Sequence, residues 1–233
     1  FSVAKTLLFC TSYFETEEAY YLRYKKWISY YLSLDFSKDK DVFMLDDHSN
    51  LDVADNLYNL IEGEITEKTK IEQMNLFRFS ERWGGSHTAN HAGWYRSFLF
   101  SLDIADVLGY EKIIHIESDL YLLTPKICEH IDNLNSGWVS FRCPTYKFPE
   151  SSLQVINKDN FGKFRNFKSE LEAKGLDNLA GQCVEWLLPL SRVEEGFTGD
   201  RYGERGVKQT GEMDFYAQAR LNQNFVFDLK NKK

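Results

Sequence analysis

The sequence predicts an α/β protein: a mainly parallel sheet flanked by helices, followed by a smaller mixed region. Two observations carry this. Residues 112–122 hold a β-branched apolar run, Ile113, Ile114 and Ile116, that ends in two carboxylates one residue apart, Glu117 and Asp119. A strand buried on both faces reads as such a run, and parallel sheets are buried on both faces. Ahead of it, strand-like and helix-like segments alternate three times, the pattern of a parallel sheet with helices on both sides.

Taken in order, residues 6–13 form an apolar first strand. Residues 17–34 have the spacing of an aromatic-rich amphipathic helix, with Leu22, Trp27, Ile28 and Tyr31. A second strand over 41–45 runs into Asp46, Asp47, His48, Ser49 and Asn50, and a helix is expected over 51–61. The third strand, 71–79, leads to a polar loop containing Gly84 and Gly85. A helix over 91–108 stops at Gly109, which suits a left-handed C-terminal cap, and feeds the acidic strand. Beyond Asp119 the pattern predicts a helix over 125–134, a strand over 138–142, a shorter strand over 153–156 and a helix over 161–174. Helical segments follow at 178–188 and 212–220. Residues 195–211 between them are rich in glycine and charge, a loop expected to stay mobile until something orders it. No linker rich in Pro, Gly or Ser divides the 233 residues, so one domain over 1–233 is expected.

Composition narrows the class. A net charge of -7 argues against a nucleic-acid surface, which needs a basic stripe to release counterions. Cys10, Cys128, Cys143 and Cys183 are far apart and form no metal-knuckle pair, so buried thiols in a reducing compartment are expected. No run of eighteen apolar residues and no charged-then-apolar leader occurs, which reads as a chain without membrane span or secretion signal, cytoplasmic by expectation.

Several constellations carry chemistry, each beside a plainer account. Ligands of open α/β sheets bind beyond the carboxyl ends of the strands, where Glu117 and Asp119 fall. Residues two apart share a strand face, and paired hard oxygens there suit Mn²⁺ or Mg²⁺ completed by substrate phosphates. The plainer account is an exposed acidic turn. Asp46 and Asp47 would accept from a ribose hydroxyl or a base N–H, or else form an Asx turn or cap. Arg96, on the helix before the acidic strand, would engage phosphate or neutralise the carboxylates, or is an ordinary surface arginine. His115 reads as a core histidine. Glu212 and Asp214 would favour a helix start, or would take a proton from an attacking hydroxyl. Residues 141–150 are a proline-marked connection or line the acceptor side of the cleft.

Together, the strand over 6–13, the Asp46-Asp47-His48-Ser49 segment, Gly93 to Ser97 on a helix, and Gly109 to Asp119 resemble the GT-A class of nucleotide-sugar glycosyltransferases. Glu117-Ser118-Asp119 stands where that class has Asp-X-Asp, and His48 stands where its inverting polysaccharide-building members have glycine. The resemblance implies a GT-A fold, with residues 1–122 as the nucleotide-sugar-binding half and 123–233 as the acceptor half. It implies transfer from a UDP- or GDP-type sugar donor to a hydroxyl of a saccharide or glycoconjugate, with Mn²⁺ or Mg²⁺ as cofactor and inverting chemistry. Asp119 would ligate the metal, helped by Glu117, while Thr11, Tyr13, Asp46, Asp47, Arg96 and Ser118 would hold the donor. Asp214 or Glu212 would be the base, and Arg201, Arg205 and Lys208 would belong to a lid closing over the diphosphate. Two rivals remain. A sugar-phosphate nucleotidyltransferase would want a glycine-rich phosphate loop after the first strand, where the sequence has Cys10-Thr11-Ser12-Tyr13-Phe14-Glu15. A non-catalytic carbohydrate-binding module would show no nucleotide dependence.

Overall fold

The first strand, β1 (Thr6–Ser12), is buried along its whole length and lies near the middle of an eight-stranded sheet. The computed structural model describes residues 5–51, 56–84, 91–144, 147–179, 181–201 and 213–218. After β1 come a helical turn α1 (Glu17–Ala19), a π-helical turn over Tyr20–Tyr24, and α2 (Lys25–Ser33). Then follow β2 (Asp41–Asp46), β3 (Asn59–Glu62), β4 (Met74–Arg78), α3 (Ala92–Leu108) and β5 (Lys112–Ile116). The remainder comprises β6 (Tyr121–Leu122), α4 (Pro125–Asn133), β7 (Trp138–Cys143), β8 (Phe148–Asn157), α5 (Phe161–Lys174) and α6 (Val184–Leu187). Three short strands close the description: β9 (Arg192–Glu194), β10 (Gly199–Arg201) and β11 (Phe215–Ala217).

The main sheet has the order β3-β4-β2-β1-β5-β8-β7-β9, and only β8 runs against its neighbours. Alternation along β1 splits the core in two. Leu8 and Cys10 join Trp27, Ile28 and Tyr31 of α2 and Ile127 and Ile131 of α4. Leu7 and Phe9 pack instead with Tyr95, Phe98 and Leu102 of α3 and Phe161, Phe164 and Phe167 of α5. Burial of each such side chain contributes about 1.5–3 kcal/mol, which is what presses helices onto both faces. A second sheet, β10-β11-β6, includes β6, which follows β5 directly in sequence. This is the predicted α/β architecture.

Helix boundaries follow local chemistry. α3 ends at Gly109, whose φ of 72° is the left-handed cap that glycine adopts without strain. Thr16 accepts the Ala19 N–H to open α1, and Pro125 starts α4 at its first turn.

Several expectations are corrected. Residues 59–62, expected to end a helix, form β3: Leu57, Leu60 and Ile61 have helical spacing, but a parallel ladder to β4 and burial of Ile61 with Phe77 decide for strand. The helix expected over 212–220 is strand at Phe215–Ala217, because β10 and β6 flank it on both sides and bury all three residues. β8 is ten residues long rather than four, since β5 and β7 pair with it along opposite edges. The helix over 178–188 is reduced to α6 and a 3₁₀ turn at Leu176–Leu179. Within the expected loop 195–211, residues 199–201 form β10, and 202–211 lie outside the described residues. Cys183 is exposed, unlike the other three thiols. Among the described residues no helix is long and apolar enough to cross a membrane.

Candidate active site

The parallel strands β1, β2 and β5 end at one rim, where antiparallel β8 begins. A cleft of about 520 Å³ opens there, lined by Thr11, Ser12 and Tyr13 of β1 and its continuation, Asp47, Glu117, Asp119, and Glu150 to Ser152 of β8. Its position follows from strand direction: backbone polarity and short loops make the carboxyl rim the place for ligands.

The acidic tip is built by a turn. The Leu120 N–H donates to the Glu117 carbonyl at 2.9 Å, and Tyr31 of α2 braces the exit, donating to the Leu120 carbonyl at 3.1 Å. Glu117 points inward and is well satisfied. Its Oε1 accepts from Thr11 Oγ1 at 2.9 Å, Trp94 Nε1 at 2.5 Å and His115 Nε2 at 2.8 Å, and Thr11 also reaches Oε2 at 3.0 Å. Burial pushes this carboxyl up, but His115, Arg23 and Thr11 together outweigh it and hold the acid below its ordinary value. His115 is fully buried, stacked on Phe9 at 4.8 Å; Gln154 Nε2 lies 3.4 Å from its Nδ1. The expected core histidine therefore also positions Glu117.

Asp119 faces differently. Its side chain is 21% exposed and pairs with Arg23, Nη2 to Oδ2 3.1 Å, while Arg23 Nε donates to Ser118 Oγ at 2.7 Å. Burial raises the Asp119 carboxyl; Arg23 opposes that, and the neighbouring charges of Glu117 and Glu150 reinforce it. For Arg23, burial lowers the guanidinium but Asp119 and its neighbours more than offset this and hold it above its ordinary value. Arg23 sits in the π-helical turn, whose Tyr24 hydroxyl donates to the Tyr13 carbonyl at 2.8 Å and so ties this turn to the end of β1. Such turns recur at functional sites.

The second pair of acids divides its duties. Asp46 is fully buried, accepting from the Ser49 N–H at 2.9 Å, Ser49 Oγ at 2.6 Å, and Arg78 Nε at 3.3 Å; it shapes the turn and does not line the cleft. Burial raises its carboxyl despite these donors. The turn places His48 at φ 62°, the left-handed region that favours glycine, with His48 Nδ1 2.9 Å from the Phe79 carbonyl. Asp47 does line the cleft. It accepts the Gly84 N–H at 2.7 Å and pairs with Arg96, and Gly93 lets α3 pass so closely that a Cβ there would overlap the Asp47 carboxylate. Arg96 is thus held by Asp47 and the Glu81 carbonyl, 4.0 Å over Phe79, and borders a separate groove rather than the acidic tip.

Across the cleft, Arg201 forks between two acids: Nε to Glu150 Oε2 is 2.6 Å, Nη2 to Glu150 Oε1 2.9 Å, and Nη2 to Glu185 Oε1 2.8 Å. The expected lid cation is therefore committed to carboxylates that join β8, α6 and β10. Asp214 lies away from the cleft lining, accepting from Thr124 Oγ1 at 2.6 Å and the Thr198 N–H at 2.8 Å. Glu212, Arg205 and Lys208 lie outside the described residues. Sequence reasoning missed Arg23 and Glu185, while Glu150 falls at the end of the segment 141–150 expected on the acceptor side and does line the cleft. His115 carried a usable signal, since it shares a strand face with Glu117 two residues on.

The chain matches no protein-family profile and no curated protein. Among solved structures it is similar to a glycosyltransferase involved in the glycosylation of the major capsid of PBCV-1, at 14% identity over 92% of each chain, with a TM-score of 0.48. It is also similar to the glycosyltransferase GlyE of Streptococcus pneumoniae TIGR4, at 12% identity and a TM-score of 0.42, covering 80% of this chain and 42% of that one. The apo form of GlyE matches at 11% identity with a TM-score of 0.38, covering 73% of this chain and 39% of that one.

Proposed function

We propose that the chain is a GT-A glycosyltransferase that moves a sugar from a nucleoside diphosphate sugar of UDP or GDP type to a hydroxyl of a saccharide or glycoconjugate, with inversion. The observation that supports this reading is the acidic tip of β5 opening, beside Arg23, into a cleft at the carboxyl rim of the parallel strands. Such a transfer must hold a dianionic leaving group, and a cleft that sets carboxylates beside a guanidinium suits that task.

The donor set fits a divalent cation held by one protein carboxylate. Among the described residues no cluster of three or more His, Cys, Asp or Glu side chains would cage a metal. Asp119, a hard oxygen ligand partly exposed to the cleft, matches the mode in which Mg²⁺ or Mn²⁺ takes one or two carboxylates and fills its shell with water and substrate phosphate. Glu117 is mostly occupied by Thr11, Trp94 and His115, so its role is to shape the tip and lend charge. When bound, the cation supplies Lewis-acid stabilisation of the departing diphosphate. Thr11, Ser12, Tyr13 and Asp47 border the nucleoside side of the cleft, and Ser118 sets the Arg23 guanidinium in place. Asp46 and Arg96 contribute by shaping the turn and orienting Asp47.

A thermal-shift panel tests the reading. UDP, GDP and CDP are each added with and without Mn²⁺. One nucleotide is expected to stabilise the protein only when the metal is present, by about 2.7 kcal/mol at a hundred times its Kd. Absence of any nucleotide effect contradicts the proposal and favours a binding module.

A further inference from the structure

Arg23 contacts the acidic tip directly, through Ser118 and Asp119. Glu117 and Glu150 both act on Asp119 through their charges. The Glu117 carboxylate takes its hydrogen bonds from Thr11, Trp94 and His115 and Glu150 is paired with Arg201, while Asp119 has Arg23 as its ion-pair partner. The grip is two-pronged, one prong on Ser118 Oγ and one on Asp119 Oδ2, so the guanidinium edge lies along the Ser118-Asp119 segment where a divalent cation would engage Asp119. Yet the Arg23 side chain is 34% exposed and borders the cleft, so it is not locked in the core. Its neighbour Tyr24 is fixed to the backbone of Tyr13 at the end of β1, which anchors the turn that carries Arg23.

We infer that Arg23 is a resident counter-cation for Asp119 that yields its place to the divalent metal and then becomes a ligand of the donor diphosphate. The inference rests on the reading of the cleft as a sugar-nucleotide site. Its physical basis is competition: two cations cannot both sit against one carboxylate without mutual repulsion, which is weakly screened in a partly buried site. The released guanidinium stays in the cleft, and its planar fork matches phosphate oxygens. The exchange makes metal binding weak in the empty protein and strong with nucleotide, since the diphosphate offers Arg23 a new partner.

Mn²⁺ titration followed by electron paramagnetic resonance, on the full chain, tests this without any turnover assay. Mn²⁺ is added alone, and then with each of UDP, GDP and CDP, to wild type, Arg23→Met, Ser118→Ala and Asp119→Asn. Arg23→Met keeps most of the stem and removes the charge. It is expected to bind Mn²⁺ alone on the order of tenfold more tightly than wild type, and the Mn²⁺-nucleotide pair on the order of tenfold more weakly. Ser118→Ala, which removes one prong and guards against a misfolded Arg23→Met, is expected to shift both values part of the way. Mn²⁺ affinity unchanged in both variants, with wild type still binding Mn²⁺ and a nucleotide together, overturns the inference and leaves the reading of the cleft standing. Failure of wild type to bind Mn²⁺ with any of the three nucleotides overturns both. Tighter Mn²⁺ binding without loss of nucleotide affinity overturns the diphosphate role.

Discussion

Asp214 places two demands on one side chain. Its carboxylate ties the loop ending at Thr198 to Thr124 at the start of α4, and its backbone carbonyl accepts the Leu123 N–H at 2.7 Å. As the base, it would instead have to reach an acceptor hydroxyl. Asp214→Asn separates the two duties. If it is the base, turnover should fall by about 10²- to 10⁴-fold while nucleotide binding stays intact. If it is only a clamp, the midpoint of thermal unfolding drops, by about 1–3 kcal/mol of stability, and turnover measured well below that midpoint is unchanged. Unchanged turnover removes the base assignment. At this scale the sequence made Asp119 legible, because acids at a buried strand's end are costly unless they face solvent or ligand. Arg23 was not legible: its approach to Asp119 depends on the π-helical turn over Tyr20–Tyr24, which periodicity cannot distinguish from ordinary helix.

The elements that close the cleft are short, and a salt-linked strap holds them. α6 has four residues and β10 three; Arg201 joins both to the start of β8 through Glu185 and Glu150. Burial pushes the Glu185 carboxyl up, but Cys183, Arg201 and Ser151 outweigh it and hold it below its ordinary value. A carboxyl lowered on folding adds stability that is fully present above its unfolded range and is lost as pH falls toward its folded value. The stability gap between wild type and Glu185→Gln should therefore be widest near about pH 7 and shrink as pH falls through the ordinary glutamate range, about 4.3. A gap that grows on acidification contradicts the strap. Arg201→Met should cost about 3 kcal/mol, since it leaves the nearly buried Glu150 without its cation. Amide exchange over 184–187 should rise with it. Long elements were readable from sequence: α3 starts and stops within a residue of its predicted limits, and α5 matches its own. Short ones were not, because β3 and β11 owe their strand state to partners far along the chain.

Across the whole molecule, five parallel strands from β3 to β5 set one carboxyl rim, and the start of β8, with α6 and β10, forms the opposite wall of the cleft. Strand alternation and the apolar run at Ile113, Ile114 and Ile116 made that architecture legible. The far wall was legible only as a vague acceptor side over 141–150, since Glu150 reaches the cleft through antiparallel pairing that no local pattern encodes. The central claim joins this architecture to one carboxylate at the tip of β5. Calorimetric titration of the nucleoside diphosphate that stabilises wild type, with Mn²⁺ present and with it chelated, tests that claim most directly when repeated on Asp119→Asn. Wild type is expected to bind only with the metal, and Asp119→Asn to lose at least on the order of tenfold in affinity while unfolding at nearly the wild-type midpoint. Equal affinity in wild type and Asp119→Asn, or binding indifferent to the metal, would contradict it.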